Sequence, residues 1–424
     1  MRIALPCGIA ALLLSGTALA DNWPQFRGPT GLGYTPEKYL PVRWGGEKAE
    51  NVLWKAPLVG EGHASPIVWE DRLFITTVRW PGGKPDPAVV PEHHVLCYQT
   101  KDGKPLWDAL IEPGPWRRED FRSGPGGGYA APTPVTDGRH VFVLFGSSVI
   151  AALDFEGKVV WRQVIKPWTF DVTIGSSPIL YGDTILLLCA MAKPADSRLV
   201  ALGKSDGLVK WETPLPRTGF GHSTPLLLDV KGKPQVIILA SGMGEKDEAL
   251  QSFDPSSGKR LWWCKAAGDS SSPAYGAGIL YVDSGRGGAG TAVDPTGQGD
   301  VSATHIKWTV TGMPESIGSP IIVTDHVFRL MGSRTVTIWR ASDGQQTDRQ
   351  RVDGIGSTWA SPIADGSGRI YFANGGRSYV VRAGPKLEVL AFNDLGDANH
   401  ASPAVSNGRL FIAGLKNLYC IGRP

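Results

Sequence analysis

The sequence predicts an all-β fold, an eight-bladed β-propeller of four-stranded antiparallel blades. Three observations predict it: a Ser-Pro or Thr-Pro pair that recurs eight times, Asp/Gly turns that cut each repeat into short apolar segments, and a tryptophan that returns late in most repeats. Composition agrees, because 54 Gly and 33 Pro beside 42% apolar residues describe many tight turns between short, well-buried strands. A length of 424 residues would by itself suggest two or three domains, and the repeat overrides that expectation.

Residues 1–20 carry one positive charge at Arg2, an apolar run from Ile9 to Leu14 and the small-residue ending Ala18-Leu19-Ala20, which reads as a secretory signal cleaved near Ala20. Residues 21–50 read as an N-terminal extension and 51–424 as the propeller. No later stretch approaches the ~20 apolar residues of a spanning helix, so a soluble periplasmic or secreted protein without membrane insertion is expected. A lipid anchor would need a cysteine at the cleavage point, and Cys7 lies well before it. Loss of Arg2 takes the formal charge from +3 to +2, which offers no electrostatic case for nucleic acid. Cys97, Cys189, Cys264 and Cys420 show neither CxxC nor CxxCH spacing, so covalent haem and a zinc knot are not expected.

The recurring pairs are Ser65-Pro66, Thr133-Pro134, Ser177-Pro178, Thr224-Pro225, Ser272-Pro273, Ser319-Pro320, Ser361-Pro362 and Ser402-Pro403. From Pro134 onward the prolines follow one another at 41 to 48 residues, and only the step from Pro66 to Pro134 is longer, at 68. Within a repeat the expected order is strand, tight turn, strand, variable loop, strand, Gly turn and strand. In the first repeat these are Pro66 to Trp69, Glu70-Asp71, Leu73 to Thr77, a long loop, Val95 to Tyr98, Asp102-Gly103, and Pro105 to Trp107.

Trp107, Trp161, Trp211, Trp262 and Trp308 end fourth strands, where a large flat side chain would fill the wedge between neighbouring sheets. Repeats six and seven depart from this, offering Thr347 to Arg351 and Leu387 to Leu390. The eighth repeat stops after its third strand, whereas Asn51-Val52-Leu53-Trp54 has fourth-strand character and no preceding strands. The two ends of the chain are therefore expected to complete one blade, with the N-terminal strand outermost, which removes an open sheet edge.

The stretches Trp23-Pro24-Gln25-Phe26-Arg27-Gly28-Pro29, Gly297-Gln298-Gly299-Asp300-Val301, Asn393-Asp394-Leu395-Gly396 and Leu418-Tyr419-Cys420-Ile421-Gly422 resemble those of the PQQ-like (pyrroloquinoline-quinone-like) β-propeller repeat proteins of the quinoprotein alcohol dehydrogenase-like superfamily. The resemblance covers nearly the whole mature chain and implies the fold. For function it implies two kinds of relative: alcohol dehydrogenases that use the quinone, and outer-membrane assembly factors that bind proteins without a cofactor.

Turns between strands one and two and between strands three and four are short, so the long connections emerge together on the other face, where a site is expected. The longest are Arg79 to His93 and Asp108 to Tyr129, the latter with Arg117, Arg118 and a Gly126-Gly127-Gly128 run that lacks the ending of a phosphate loop. His63, His222 and His400 share one repeat position before the proline, with Trp359 there in repeat seven and Asp269 one position earlier in repeat five. These should ring the channel mouth, His222 about halfway round from the other two, too far for one shared metal ion. Arg286, Arg334 and Arg377 each follow the second strand; pointed inward they would make an anion-friendly funnel, and otherwise they would be solvated or paired with Asp/Glu.

The leading expectation is a non-catalytic binding or scaffolding module, monomeric, without a cofactor, holding a protein or carbohydrate ligand on the loop face. The first alternative is a PQQ-dependent oxidoreductase of alcohols or sugars with Ca²⁺, which would stack the quinone on Trp359, hold its carboxylates with Arg286, Arg334 or Arg377, bind the cation with Glu315 and Asn399, and use Asp269 as base. Against it stands the lack of an adjacent cysteine pair. The second alternative is a hydrolase or lyase working through the histidine-lined funnel. Cys97 and Cys420 occupy a small packed position in neighbouring repeats; reduced thiols are expected, with a disulfide left open.

Overall fold

The computed structural model describes residues 22–86, 88–114, 128–166, 174–191, 194–241, 248–353 and 359–423. The signal segment, Arg117, Arg118, Gly126 and Gly127 lie outside the described residues. Eight antiparallel sheets follow one another along the chain. Blade one is built from Ile67–Trp69, Arg72–Arg79, Glu92–Gln99 and Pro105–Ile111, so its last strand runs on through Asp108, where a loop was expected. Blade eight is built from Ala404–Ser406, Arg409–Ala413, Asn417–Ile421 and, outermost, the N-terminal Val52–Pro57. The closing pair is in register at Trp54 with Cys420, Lys55 with Tyr419 and Ala56 with Leu418, as the unfinished eighth repeat predicts.

The Ser/Thr-Pro pairs have one physical task in common. In each, the backbone N–H donates to the side-chain hydroxyl of the same residue in the next blade, and the eight bonds close on themselves. Ser65 donates to Thr133 (3.2 Å), Thr133 to Ser177 (2.9 Å), Ser177 to Thr224 (3.1 Å) and Thr224 to Ser272 (2.9 Å). Ser272 then donates to Ser319 (3.0 Å), Ser319 to Ser361 (3.0 Å), Ser361 to Ser402 (2.8 Å) and Ser402 back to Ser65 (2.9 Å). All eight residues are buried, so removing one hydroxyl strands a backbone donor at a cost of about 1–3 kcal/mol. The following proline brings no N–H of its own to this crowded inner edge, where a further donor would need a further acceptor.

Farther out, a second contact repeats. The fourth-strand tryptophan of one blade lies flat on the glycine turn between strands three and four of the next: Trp54 on Gly103, Trp107 on Gly157, Trp161 on Gly207, Trp211 on Gly258 and Trp308 on Gly344. A Cβ at any of these glycines would stand 2.5–2.7 Å from the indole, and each has φ between 68° and 85°. Four of the indole N–H groups donate to carbonyls of that next turn, of Thr100, Phe155, Lys204 and Ala341. Trp262 is the exception. The corresponding turn of blade five is enlarged, and its Gly299–Asp300 segment adds to the edge of Arg260–Cys264 as a parallel strand, while the fully buried Trp262 indole donates to Gln235 of its own blade.

The N-terminal extension is threaded into the propeller. Trp23 exchanges backbone bonds with Val68 of blade one, and the Pro24 carbonyl accepts from Thr136 of blade two. Leu32 packs against the core shared by blades four and five. Gly33 and Thr35 pair with Ala364 of blade seven, and Glu37 holds Gly408 of blade eight. Between these anchors Arg27 is buried and donates to the carbonyls of Pro273 (3.1 Å), Pro320 (2.8 Å) and Leu32 (2.9 Å), joining blades five and six beneath the hydroxyl ring. Burial and the neighbouring Arg329 pull its pKa down to about 9, and Arg329 is itself paired with the buried Asp283 at 2.8 Å. Cys97, Cys189, Cys264 and Cys420 are buried free thiols, and burial raises each to about 12.

Two outcomes check this account. Trp161→Ala and Trp211→Ala should each lower unfolding free energy by about 3 kcal/mol in denaturant titrations, the low end for aromatic truncations because both indoles are half-buried; values near zero would show that the indoles do not hold neighbouring blades together. A mature chain starting after Leu58 loses both the closing strand and the strap, so a lower melting temperature and concentration-dependent aggregation are expected in calorimetry and light scattering.

Candidate functional site

The long connections of the blades surround a funnel on the propeller axis, a cavity of about 310 Å³. The eight hydroxyl-ring residues line it, and Phe26 of the strap contributes from below. Of the residues singled out in the sequence, His63, His222, His400, Trp359, Arg286 and Glu315 come together here. Arg334, Arg377, Asp269 and Asn399 do not line this cavity.

His63, His400 and Trp359 form one wall. Trp359 stacks on His400 with ring centroids 4.4 Å apart and 16° between planes, and His63 lies 5.1 Å from His400. Asn399 fixes the imidazoles from behind. Its Nδ2 donates to the carbonyls of Gly62 (3.1 Å) and Gly414 (2.9 Å), which orients the amide; its Oδ1 accepts from the His400 backbone (2.7 Å) and meets His63 Nδ1 at 2.8 Å. His63 therefore carries its hydrogen on Nδ1. His400 Nδ1 faces the Trp359 backbone N–H at 3.3 Å, so its neutral ring carries the hydrogen on Nε2. Burial, and then the neighbouring His63, holds His400 down to about 4, and it is neutral at physiological pH.

The facing wall belongs to blades four and five. Arg286 begins a third strand, Arg286–Val293, that overshoots Ile279–Asp283 and pairs with the long Ile306–Glu315, placing Arg286 opposite Glu315. Arg286 Nε donates to the buried Asp269 Oδ2 at 2.8 Å, and the guanidinium lies over the Phe220 ring at 5.4 Å. Asp269 also accepts from Ser270 Oγ (2.7 Å), and its carbonyl accepts from the His222 backbone at 2.5 Å. Asp269 thus positions Arg286 and His222. Its carboxylate opens onto an adjoining groove of about 740 Å³ that shares Arg286 with the funnel.

The three arginines do not form one anionic funnel. Arg377 faces Asp394 across two strands, 3.6 Å away, and lines a separate groove with Trp44 and Phe392. Arg334 occupies an exposed turn with φ of 63°, its backbone bonded to Met331. Arg286 and Arg377 go where strand register and the nearest carboxylate take them, and Arg334 precedes the strand Thr335–Arg340 on its exposed turn. Sequence reasoning missed Phe26, because the strap was read as a separate extension, and Phe220, whose only signal is its place two residues before His222. Among the described residues no group of three or more His, Cys, Asp or Glu is arranged to hold a metal ion.

The pH dependence of stability tests the buried wall. The His400 pKa is lower in the folded chain than in the unfolded one, so its contribution is present above about 6.5 and is lost as pH falls toward 4. His93, buried on Phe145 and held down to about 3, acts in the same direction. Replacing His400→Gln should flatten the fall in stability between pH 7 and 4 by on the order of 2 kcal/mol, read from denaturant midpoints across that range. An unchanged slope would mean that His400 titrates freely.

Comparison with known proteins agrees with this architecture. A family profile described as outer membrane protein assembly factor BamB matches residues 91–244. The structure of BamB from Moraxella catarrhalis is similar at 14% identity and a TM-score of 0.57, covering 87% of this chain and 98% of that one. Quinohemoprotein alcohol dehydrogenase from Comamonas testosteroni is similar at 14% identity and a TM-score of 0.65, covering 95% of this chain and 81% of that one. The computationally designed Ika8 protein is similar at 9% identity and a TM-score of 0.60, covering 88% and 99%. No curated protein sequence matches the chain. The hydroxyl ring, the closing strand and these likenesses together make the chain an eight-bladed β-propeller, with a PQQ-like repeat profile matched over residues 91–244.

Proposed function

We propose that the chain is an exported, non-catalytic binding propeller that takes its ligand in the loop-face funnel. The observation that carries this reading is that the funnel's polar groups are held by structural contacts: Asn399 orients His63 and His400, and Asp269 orients Arg286. A site built this way presents fixed donors and acceptors, the arrangement that makes binding specific. The family profile named for an outer-membrane assembly factor supports a binding role outside the cytoplasm. No helix among the described residues is long and apolar enough to cross a membrane.

A quinone-dependent oxidoreductase is the second reading, favoured by Trp359, Arg286 and Glu315 lining one funnel and by the likeness to quinohemoprotein alcohol dehydrogenase. The residues fit that group only in part. The Asn399 oxygen is committed to His400 and His63, Asp269 is committed to Arg286, and one arginine of the three reaches the cavity. A hydrolase or lyase would need the histidines to cooperate, and His222 stands on the wall opposite His63 and His400, near Phe220.

The test is reconstitution of the mature protein with pyrroloquinoline quinone and Ca²⁺, followed by assay of alcohols and sugars with an artificial electron acceptor. No quinone-dependent turnover is expected, and turnover would replace the binding reading with the oxidoreductase. His222→Ala should leave stability within ~0.5 kcal/mol, whereas Arg286→Ala, which leaves the buried Asp269 carboxylate without its cation, should also lower it by about 1–3 kcal/mol in denaturant titrations.

A further inference from the structure

We propose that the ligand of the funnel is a neutral saccharide of one or two rings; this rests on the loop-face binding reading and names the ligand class. Four observations point to it. The first is an aromatic platform that is both exposed and rigid: Trp359 is 36% exposed, and His400 stacks against it at 4.4 Å. The C–H face of a pyranose packs on such a surface, while a freely rotating side chain would spend more entropy in being fixed.

The second observation is the floor. Phe26 is half-buried between two fixed neighbours, since Trp23 is bonded to Val68 and Arg27 to the carbonyls of Pro273 and Pro320. Its ring lies among the hydroxyls of the closed Ser/Thr ring and forms part of the cavity lining. The pocket therefore offers an apolar base surrounded by hydroxyls.

The third observation is the chemistry of that perimeter. Each ring hydroxyl accepts one backbone N–H and keeps its own hydrogen and a lone pair, so it can both donate and accept. Sugar hydroxyls have the same dual character. Across the cavity, and among the described residues, Arg286 uses only Nε in a hydrogen bond, to Asp269, while the exposed Glu315 carboxylate makes no ion pair. Arg286 and Glu315 are paired on neighbouring strands, so a donor fork and an acceptor stand side by side on that wall, a combination that suits vicinal hydroxyls.

The fourth observation is charge and size. Arg286 is balanced by Asp269, and the remaining charge on the wall is the negative Glu315. A flat polycarboxylate would need more cations at the cavity, yet Arg334 and Arg377 lie outside it. The volume of about 310 Å³ is at the small end of ligand cavities, ~300–1,000 Å³, which suits a short saccharide better than a folded partner or a long polymer.

The experiment uses the full mature chain in titration calorimetry with methyl glucopyranosides, methyl galactopyranosides, maltose, cellobiose and glucuronate, with pyrroloquinoline quinone plus Ca²⁺ as a separate arm. At least one neutral sugar should bind, Trp359→Ala should weaken it by about tenfold, and Phe26→Leu should weaken it by about fivefold at an unchanged melting temperature. Arg286→Lys, which keeps the charge and loses the fork, should also weaken it. Binding of glucuronate alone, binding of the quinone alone, or sugar binding indifferent to both aromatic variants would overturn the saccharide assignment. Quinone binding lost on Trp359→Ala would still leave the funnel as a ligand site, whereas quinone-dependent turnover would defeat the non-catalytic reading as well.

Discussion

A closed circle of eight hydrogen bonds holds this molecule to one geometry. Each bond runs from the backbone of one blade to the hydroxyl of the next, so each blade's position is set by its two neighbours and the last bond, Ser402 to Ser65, closes the circle. An open row of such contacts would leave one buried donor at its end without an acceptor. A closed row leaves none, and a stranded donor costs more than one bonded pair contributes. The same requirement explains why serine and threonine interchange in the sequence while the hydroxyl persists: either residue supplies the acceptor, and the ring needs nothing else from the side chain.

The inner ring fixes the blades near the axis, and the tryptophan-on-glycine contacts fix them farther out. Two attachments at different radii prevent a blade from pivoting about either. Where the outer contact is replaced, a substitute is present. Between blades four and five, a parallel strand from the enlarged turn covers the edge that would otherwise be open, and Trp262 is satisfied by Gln235. The replacement is local because the inner ring is intact at the same blade boundary, through Thr224 and Ser272.

Much of this was legible in the sequence because repetition amplifies weak signals. One Ser-Pro pair means little, while eight at near-regular spacing identify the inner strand of every blade, and the unfinished eighth repeat predicts the closing strand. The site was only half legible. His63, His222, His400 and Trp359 were found because they occupy a repeat position, and a repeat position has a known radius. Arg334 and Arg377 looked equivalent to Arg286 in spacing, but side-chain direction depends on strand register and on the nearest carboxylate, and those are not periodic. Asn399 was read as a cation ligand from its chemistry alone; the two carbonyls that occupy its amide come from Gly62 and Gly414, one of them 337 residues away in the chain.

The strap shows why the boundary between frame and site is not a boundary between chain segments. Arg27 is buried at a considerable desolvation cost, which its three carbonyl acceptors offset, and that cost would make little sense for a terminal tail. Its return is positional. By joining blades five and six, Arg27 holds the adjacent Phe26 in the cavity lining beside the hydroxyl-ring residues. The funnel has a floor because the strap crosses the channel, and the strap stays there because seven of the eight blades hold some part of it. Phe26 joins the eight hydroxyl-ring residues in the cavity lining, so the strap belongs to the candidate site as well as to the frame.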